Sequence, residues 1–99
     1  YIISHPSFGE NIYKLGFTGN INTKALLQRY RTYYPEDPVI KSTFQVTQAK
    51  LAEKLLFHWL RDRRVHPTKE FFKEKYEIIL DLCKRVKSVV DLTNDFLNF

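Results

Sequence analysis

Apolar and polar positions change their spacing several times along this chain, and each change predicts an element. Tyr1-Ile2-Ile3-Ser4 is a short β-prone run and predicts a first strand over 1–4. Residues 5–11 carry Pro6, Ser7, Gly9 and Asn11, which mark a turn. The stretch 12–18 alternates well enough for a second strand returning as a hairpin. Gly19 to Asn22 reads as a loop, with Asn22 or Thr23 capping a helix from Lys24 to about Tyr33. Leu26, Leu27 and Tyr30 give that helix one buried face, and Pro35 and Pro38 end it. Val39 to Val46 is rich in β-branched and aromatic residues and reads as a third strand.

Thr47 then reads as the cap of a helix from Gln48 to about Arg63. Its apolar stripe is Leu51, Ala52, Leu55, Leu56, Trp59 and Leu60. Val65 to Lys69, around Pro67, reads as a loop, and Glu70-Phe71-Phe72 as a short strand. A last helix from Glu74 to about Leu92 turns Ile78, Ile79, Leu82, Val86, Val89 and Val90 inward. The order predicts an α+β fold of the α/β sandwich kind. A small, mostly antiparallel three-stranded sheet is flanked by three helices, in one domain over 1–92 with a C-terminal tail over 93–99.

Composition narrows the class without choosing a function. A chain of 99 residues, 43% hydrophobic and 15% aromatic, can fill one core unaided. Cys83 is the single cysteine, which excludes an intramolecular disulfide and a cysteine metal cage and fits a reducing, intracellular setting. No apolar run approaches the roughly 20 residues that span a bilayer, and no secretory signal is visible. Opening on Tyr1 rather than Met, the sequence reads as a piece of a longer protein. The net charge of +5 favours an acidic partner such as nucleic acid, although charge alone does not select it.

The chemistry lies in separated signatures. They are Tyr1-Ile2-Ile3, Tyr13-Lys14-Leu15-Gly16-Phe17-Thr18, Arg29-Tyr30-Arg31-Thr32-Tyr33, and Ala52-Glu53 followed by Glu70-Phe71-Phe72. In this order they resemble the GIY-YIG nuclease superfamily. The nearest likeness is to its phage and large-DNA-virus DNA-binding branch, whose second motif is of the Lys-Ile-Gly type. The resemblance runs from Tyr1 to about Val90. It implies a divalent-metal-dependent endonuclease that hydrolyses DNA phosphodiester bonds, with Mg²⁺ or Mn²⁺ as cofactor. DNA is then the partner, and other domains of a longer protein supply specificity.

The resemblance also assigns roles. Tyr1 stands at the tyrosine that helps activate the attacking water, and a phenol needs a nearby cation to act as a base at neutral pH. Arg29 stands at the helical arginine that binds the scissile phosphate, for which a planar guanidinium is suited. Tyr33 lies four residues on, on the same helical face. The long gap from Gly16 leaves Arg31 as a rival. Glu53 stands at the metal-binding carboxylate, a hard oxygen ligand suited to Mg²⁺. Gly16 permits a close approach at the strand end and Thr18 anchors the following turn. Glu70 reads as a wall residue paired with Arg64, and the two phenylalanines after it as core.

Lys14 is a departure, because the superfamily's second motif has Tyr directly before Ile-Gly. Tyr13 sits one residue earlier, and a one-residue shift on a strand turns the side chain to the opposite face. Lys14 therefore supplies either a cation for Tyr1 or a grip on a phosphate oxygen. Taken singly, the same residues have plainer readings. Tyr1 is then a packed strand tyrosine, Lys14 a solvated lysine, Arg29 a solvated helix arginine, and Glu53 a surface glutamate paired with Lys50 or Lys54. His5, His58 and His66 form no metal set, since His58 is five residues from Glu53 and off its face. The alternative to the endonuclease is a catalytically weakened DNA-binding module, and a third class is a protein-interaction domain.

Overall fold

A computed structural model of the chain describes residues 1–17, 28 and 38–97. The strands are β1 (Ile2–Ser4), β2 (Ile12–Leu15), β3 (Val39–Ser42), β4 (Arg64–His66) and β5 (Lys69–Lys73). The helices are α1 (Ala49–Trp59) and α2 (Tyr76–Leu97), with 3-10 turns at Pro6–Phe8 and Arg61–Arg63. The five strands form one sheet in the order β3-β1-β2-β5-β4, and every pairing is antiparallel. This overturns the predicted three-stranded sheet flanked by three helices: the sheet has five strands, and the described residues hold two helices. The helix expected from Lys24 to Tyr33 lies outside the described residues except for Gln28, which is helical and exposed.

The missed strand, β4, forms a hairpin with β5, whose centre is the short strand expected at Glu70-Phe71-Phe72. β4 is three residues long with two of them exposed, too short for an alternation to register. Pro67 is not part of an open loop but of the turn between β4 and β5. The His66 Nδ1 closes that turn by accepting from the Thr68 N–H at 3.2 Å. Further back, Gly9 (φ 93°) and Asn11 (φ 56°) provide the left-handed residues of the β1–β2 connection.

Strand alternation divides the core between two faces. Ile2, Leu15 and Phe72 face the helices and pack with Leu60, Ile79 and Cys83. On the other face Ile3 is fully buried among Tyr1, Phe8 and Ile40. Phe71 joins this second face by stacking edge-on against Phe8 at 4.9 Å. The helix seams are narrower than their sequence stripes. In α2 the buried positions are Ile79, Cys83, Val86 and Val90, whereas Ile78 and Val89 are about half exposed, at 49% and 56%. Of the stripe expected for α1, Trp59 is 67% exposed, whereas Leu60, just beyond the helix, is buried.

Two clamps hold α2 to the rest. Tyr76 at its start hydrogen-bonds Ser42 Oγ at 2.5 Å on the edge strand β3. Near its end Asp91 accepts from both the backbone N–H and the hydroxyl of Thr47, each at 3.0 Å, and pairs with Lys87 at 2.7 Å. Thr47 is thus a tether between α2 and the start of α1, not the expected helix cap. The N-cap is Gln48, which makes no side-chain capping bond. α2 itself continues past the expected end near Leu92 to Leu97.

Candidate functional site

The open end of the β1–β2 hairpin brings three sequence signatures together. Tyr1 and Gly16 exchange both backbone hydrogen bonds, the Tyr1 nitrogen donating to Gly16 O at 2.8 Å and Gly16 N–H to Tyr1 O at 3.2 Å. The Tyr1 ring lies directly across Gly16. A Cβ at that position would sit 2.5 Å from the phenol oxygen and 2.6 Å from Cζ. Gly16 is therefore required for space, and its lack of a side chain fixes where the phenol rests. Gly16→Ala should displace the ring and cost about 1 kcal/mol, the low end for overpacking because the ring is at the start of a strand. Loss of the contacts between the Tyr1 ring and residue 16 in NMR, with a small fall in melting temperature, checks this. A ring that stays in place counts against it.

Phe17, the next residue, turns its N–H to the Glu53 carboxylate. Glu53 projects from α1, four residues before the core residue Phe57, and is half-buried. Burial pushes its carboxyl above the ordinary range, and the negative charge of Glu70 pushes it further. The amino group of Tyr1, the Phe17 N–H and the charge of Arg64 oppose the rise. Glu53 is thus not the surface glutamate paired with Lys50 or Lys54. Its surroundings come from β1, β2, β4 and β5.

Arg64 opens β4 and lies over aromatic faces on the helix side of the sheet. Its guanidinium carbon is 5.4 Å from the Phe57 ring centroid and 5.7 Å from that of Phe72. Its Nε donates to the Lys69 carbonyl at 2.8 Å. The expected Arg64–Glu70 pair does not form. The neighbouring Arg63 makes an ion pair instead, with Glu74 at 2.9 Å. Glu70 acts on Glu53 through its charge.

Tyr13 and Lys14 face opposite sides of the sheet. Tyr13 packs on Tyr76 with ring centroids 5.6 Å apart, on the helix side. Lys14 pairs with Ile3 across the hairpin and holds its Nζ 5.3 Å over the Phe71 ring on the other face. Lys14 shares that face with the Tyr1 ring. Arg29, Arg31, Tyr33 and Thr18 lie outside the described residues.

The remaining candidate groups have structural duties. His5 is buried and its Nδ1 accepts from the Ser7 N–H at 3.0 Å, capping the 3-10 turn. His58 sits beside Arg61 at 3.3 Å. The Cys83 thiol, buried in the core, is pushed up to about 11, which keeps it protonated and unreactive. Among the described residues no group of three or more His, Cys, Asp and Glu side chains is arranged to hold a metal ion, and no helix is long and apolar enough to cross a membrane. The sequence reading missed the convergence of Glu70 and Arg64 on Glu53. It places Glu70 and Arg64 together at the site wall, but as partners of each other and not as the groups acting on Glu53.

The described residues define a small antiparallel-sheet domain with a half-buried carboxylate at the open end of its first hairpin. The chain belongs to the T5orf172 domain family, whose model matches residues 1–87. This is a phage-associated family often linked to nuclease-type domains. No curated protein and no solved structure matches the chain.

Proposed function

We propose that this domain is a divalent-metal-dependent endonuclease of the GIY-YIG type that hydrolyses DNA phosphodiester bonds. The observation that carries the reading is Glu53, a half-buried carboxylate tied to the Phe17 N–H beside the Tyr1 amino group, with the charge of Glu70 acting on it. Two carboxylates whose charges repel in a partly dry site favour a cation between or beside them. Mg²⁺ commonly keeps several waters and needs only one or two protein carboxylates, so these residues fit it. Glu53 would hold the ion, with the charge of Glu70 adding to the field. A bound divalent metal supplies Lewis-acid stabilisation of the phosphate and leaving oxygens.

The chain's own groups do the rest. Tyr1, its ring fixed across Gly16, orients and helps deprotonate the attacking water. Arg29, or Arg31 in its stead, grips the scissile phosphate, with Tyr33 following four residues after Arg29. Lys14 contributes positive charge on the face of the Tyr1 ring. Membership of a phage-associated family linked to nuclease-type domains supports the same assignment.

A second reading, a DNA-binding module with weakened catalysis, is favoured by one observation. No second phenol stands where Lys14 does, since Tyr13 packs against Tyr76 on the opposite face. Relaxation of supercoiled plasmid separates the two. Wild-type protein should produce nicked circles in Mg²⁺ or Mn²⁺ and none in EDTA. Protein that retards DNA in a gel yet nicks nothing with either metal would establish the second reading.

A further inference from the structure

We infer that Arg64 is a nucleic-acid phosphate-binding residue, a guanidinium fork preset at the Glu53 end of the sheet. The inference rests on the reading of the domain as one that acts on DNA.

Three features of Arg64, taken together, carry this inference. First, its orientation is already fixed. The side chain is half-buried over Phe57 and Phe72, and its Nε is tied to the Lys69 carbonyl at 2.8 Å. Holding an arginine still normally costs rotamer freedom when a ligand arrives, and here that cost falls on folding instead. Second, it is not used as an ion-pair partner. Arg63 takes Glu74, Arg85 takes Asp81 and Lys87 takes Asp91, whereas the one side-chain hydrogen bond of Arg64 among the described residues goes to a main-chain oxygen. Its two terminal nitrogens make no hydrogen bond among the described residues, and a planar pair of N–H donors matches phosphate oxygens in bidentate fashion. Third, its charge acts on Glu53. The fork stands at the same end as the carboxylates, where the acidic pair alone would repel a DNA strand. A cation there gives the strand a reason to approach. The chain's net charge of +5 favours phosphate over a cationic or neutral ligand.

The test is binding of a short DNA duplex in EDTA, followed by fluorescence anisotropy across a series of KCl concentrations. EDTA separates binding from any cleavage. Arg64→Met keeps an unbranched stem over Phe57 and Phe72 while removing the charge and the fork. The slope of log K against log salt should flatten by about 0.9 in this variant, which corresponds to roughly tenfold weaker binding at 0.1 M salt. The loss should be the same for unrelated duplex sequences, because a phosphate contact carries no base information. Arg64→Lys should retain the slope. A purely structural arginine would change melting temperature but not the slope. If Arg64→Met does not fold, Arg64→Gln, which retains an N–H donor, carries the same slope measurement.

A wild-type slope in the folded variant overturns the assignment of Arg64. If wild-type protein still nicks plasmid in that case, the endonuclease reading stands without it. Wild-type protein that fails to bind the duplex even at low salt overturns both.

Discussion

Glu53→Gln should remove metal-dependent cleavage while raising the melting temperature at neutral pH. The two effects have one cause. A carboxylate in this position is useful because it is concentrated negative charge in a partly buried site, and it is destabilising for the same reason. Burial raises the Glu53 carboxyl above its ordinary 4.5, and the charge of Glu70 adds to the rise. The folded state therefore holds a proton more readily than the unfolded chain does. Stability falls as pH rises from 4.5 through the raised folded value, and the deficit is then constant toward neutral pH. Glutamine keeps an oxygen for the Phe17 N–H and has no charge to desolvate. Its stabilising effect should be present at pH 7 and should fade as pH drops to 4.5 and below. Calorimetric melts at the two ends of that range read the sign directly. Cleavage should fall on the order of 10²-fold or more, as for loss of one principal electrostatic contact to the reacting group. DNA binding should persist or tighten, since a negative charge has been taken from the phosphate-facing end. A lower melting temperature at pH 7 would mean that the Phe17 N–H, the Tyr1 amino group and Arg64 outweigh burial.

The largest loss of stability should come from Phe72→Ala. Phe72 is fully buried, at 0% exposure, in the strand between β2 and β4, with the Phe57 ring 5.0 Å away and Arg64 above both. Truncating such a ring costs about 3–5 kcal/mol, from the lost transfer free energy and the cavity left behind. Small domains have a total stability of about 5–15 kcal/mol, so the variant should be marginal or unfolded at 37 °C. Phe71→Ala removes an identical side chain one residue away. Phe71 is only half-buried on the second face, against Phe8, and its loss should cost clearly less. Chemical denaturation of the two variants side by side tests the register of β5. Equal costs, or a larger one for Phe71, would mean that the strand faces the other way.

Some of this was written in local sequence. The cores of β1, β2 and β3 follow from runs of β-prone residues bounded by turn formers, and the turn between β1 and β2 from Gly9 and Asn11. α1 and α2 follow from their apolar periodicity, and Glu53 was legible as a carboxylate on a helix with an apolar flank. Each of these depends on residues within a few positions of one another, where backbone sterics and side-chain spacing act directly.

Tertiary structure decided the rest, because each remaining choice lay between locally equivalent alternatives. Ile78 and Ile79 are neighbours of equal hydrophobicity, as are Val89 and Val90, and only packing against the sheet buried the second of each pair. Trp59 and Leu60 were settled likewise. Arg63 and Arg64 carry the same group on adjacent residues. The start of β4 turns one over Phe57 and Phe72 and leaves the other to Glu74. β4 itself exists because β5 offers it an edge, since three residues with two exposed cannot announce a strand alone. The environment of Glu53 is assembled from Tyr1, Phe17, Arg64 and Glu70, residues brought from four strands or strand ends by closing long loops. Sequence fixes which groups such a site can use. Their mutual distances, and hence the raised Glu53 carboxyl and the preset Arg64, arise only when the sheet pairs and the helices cover it.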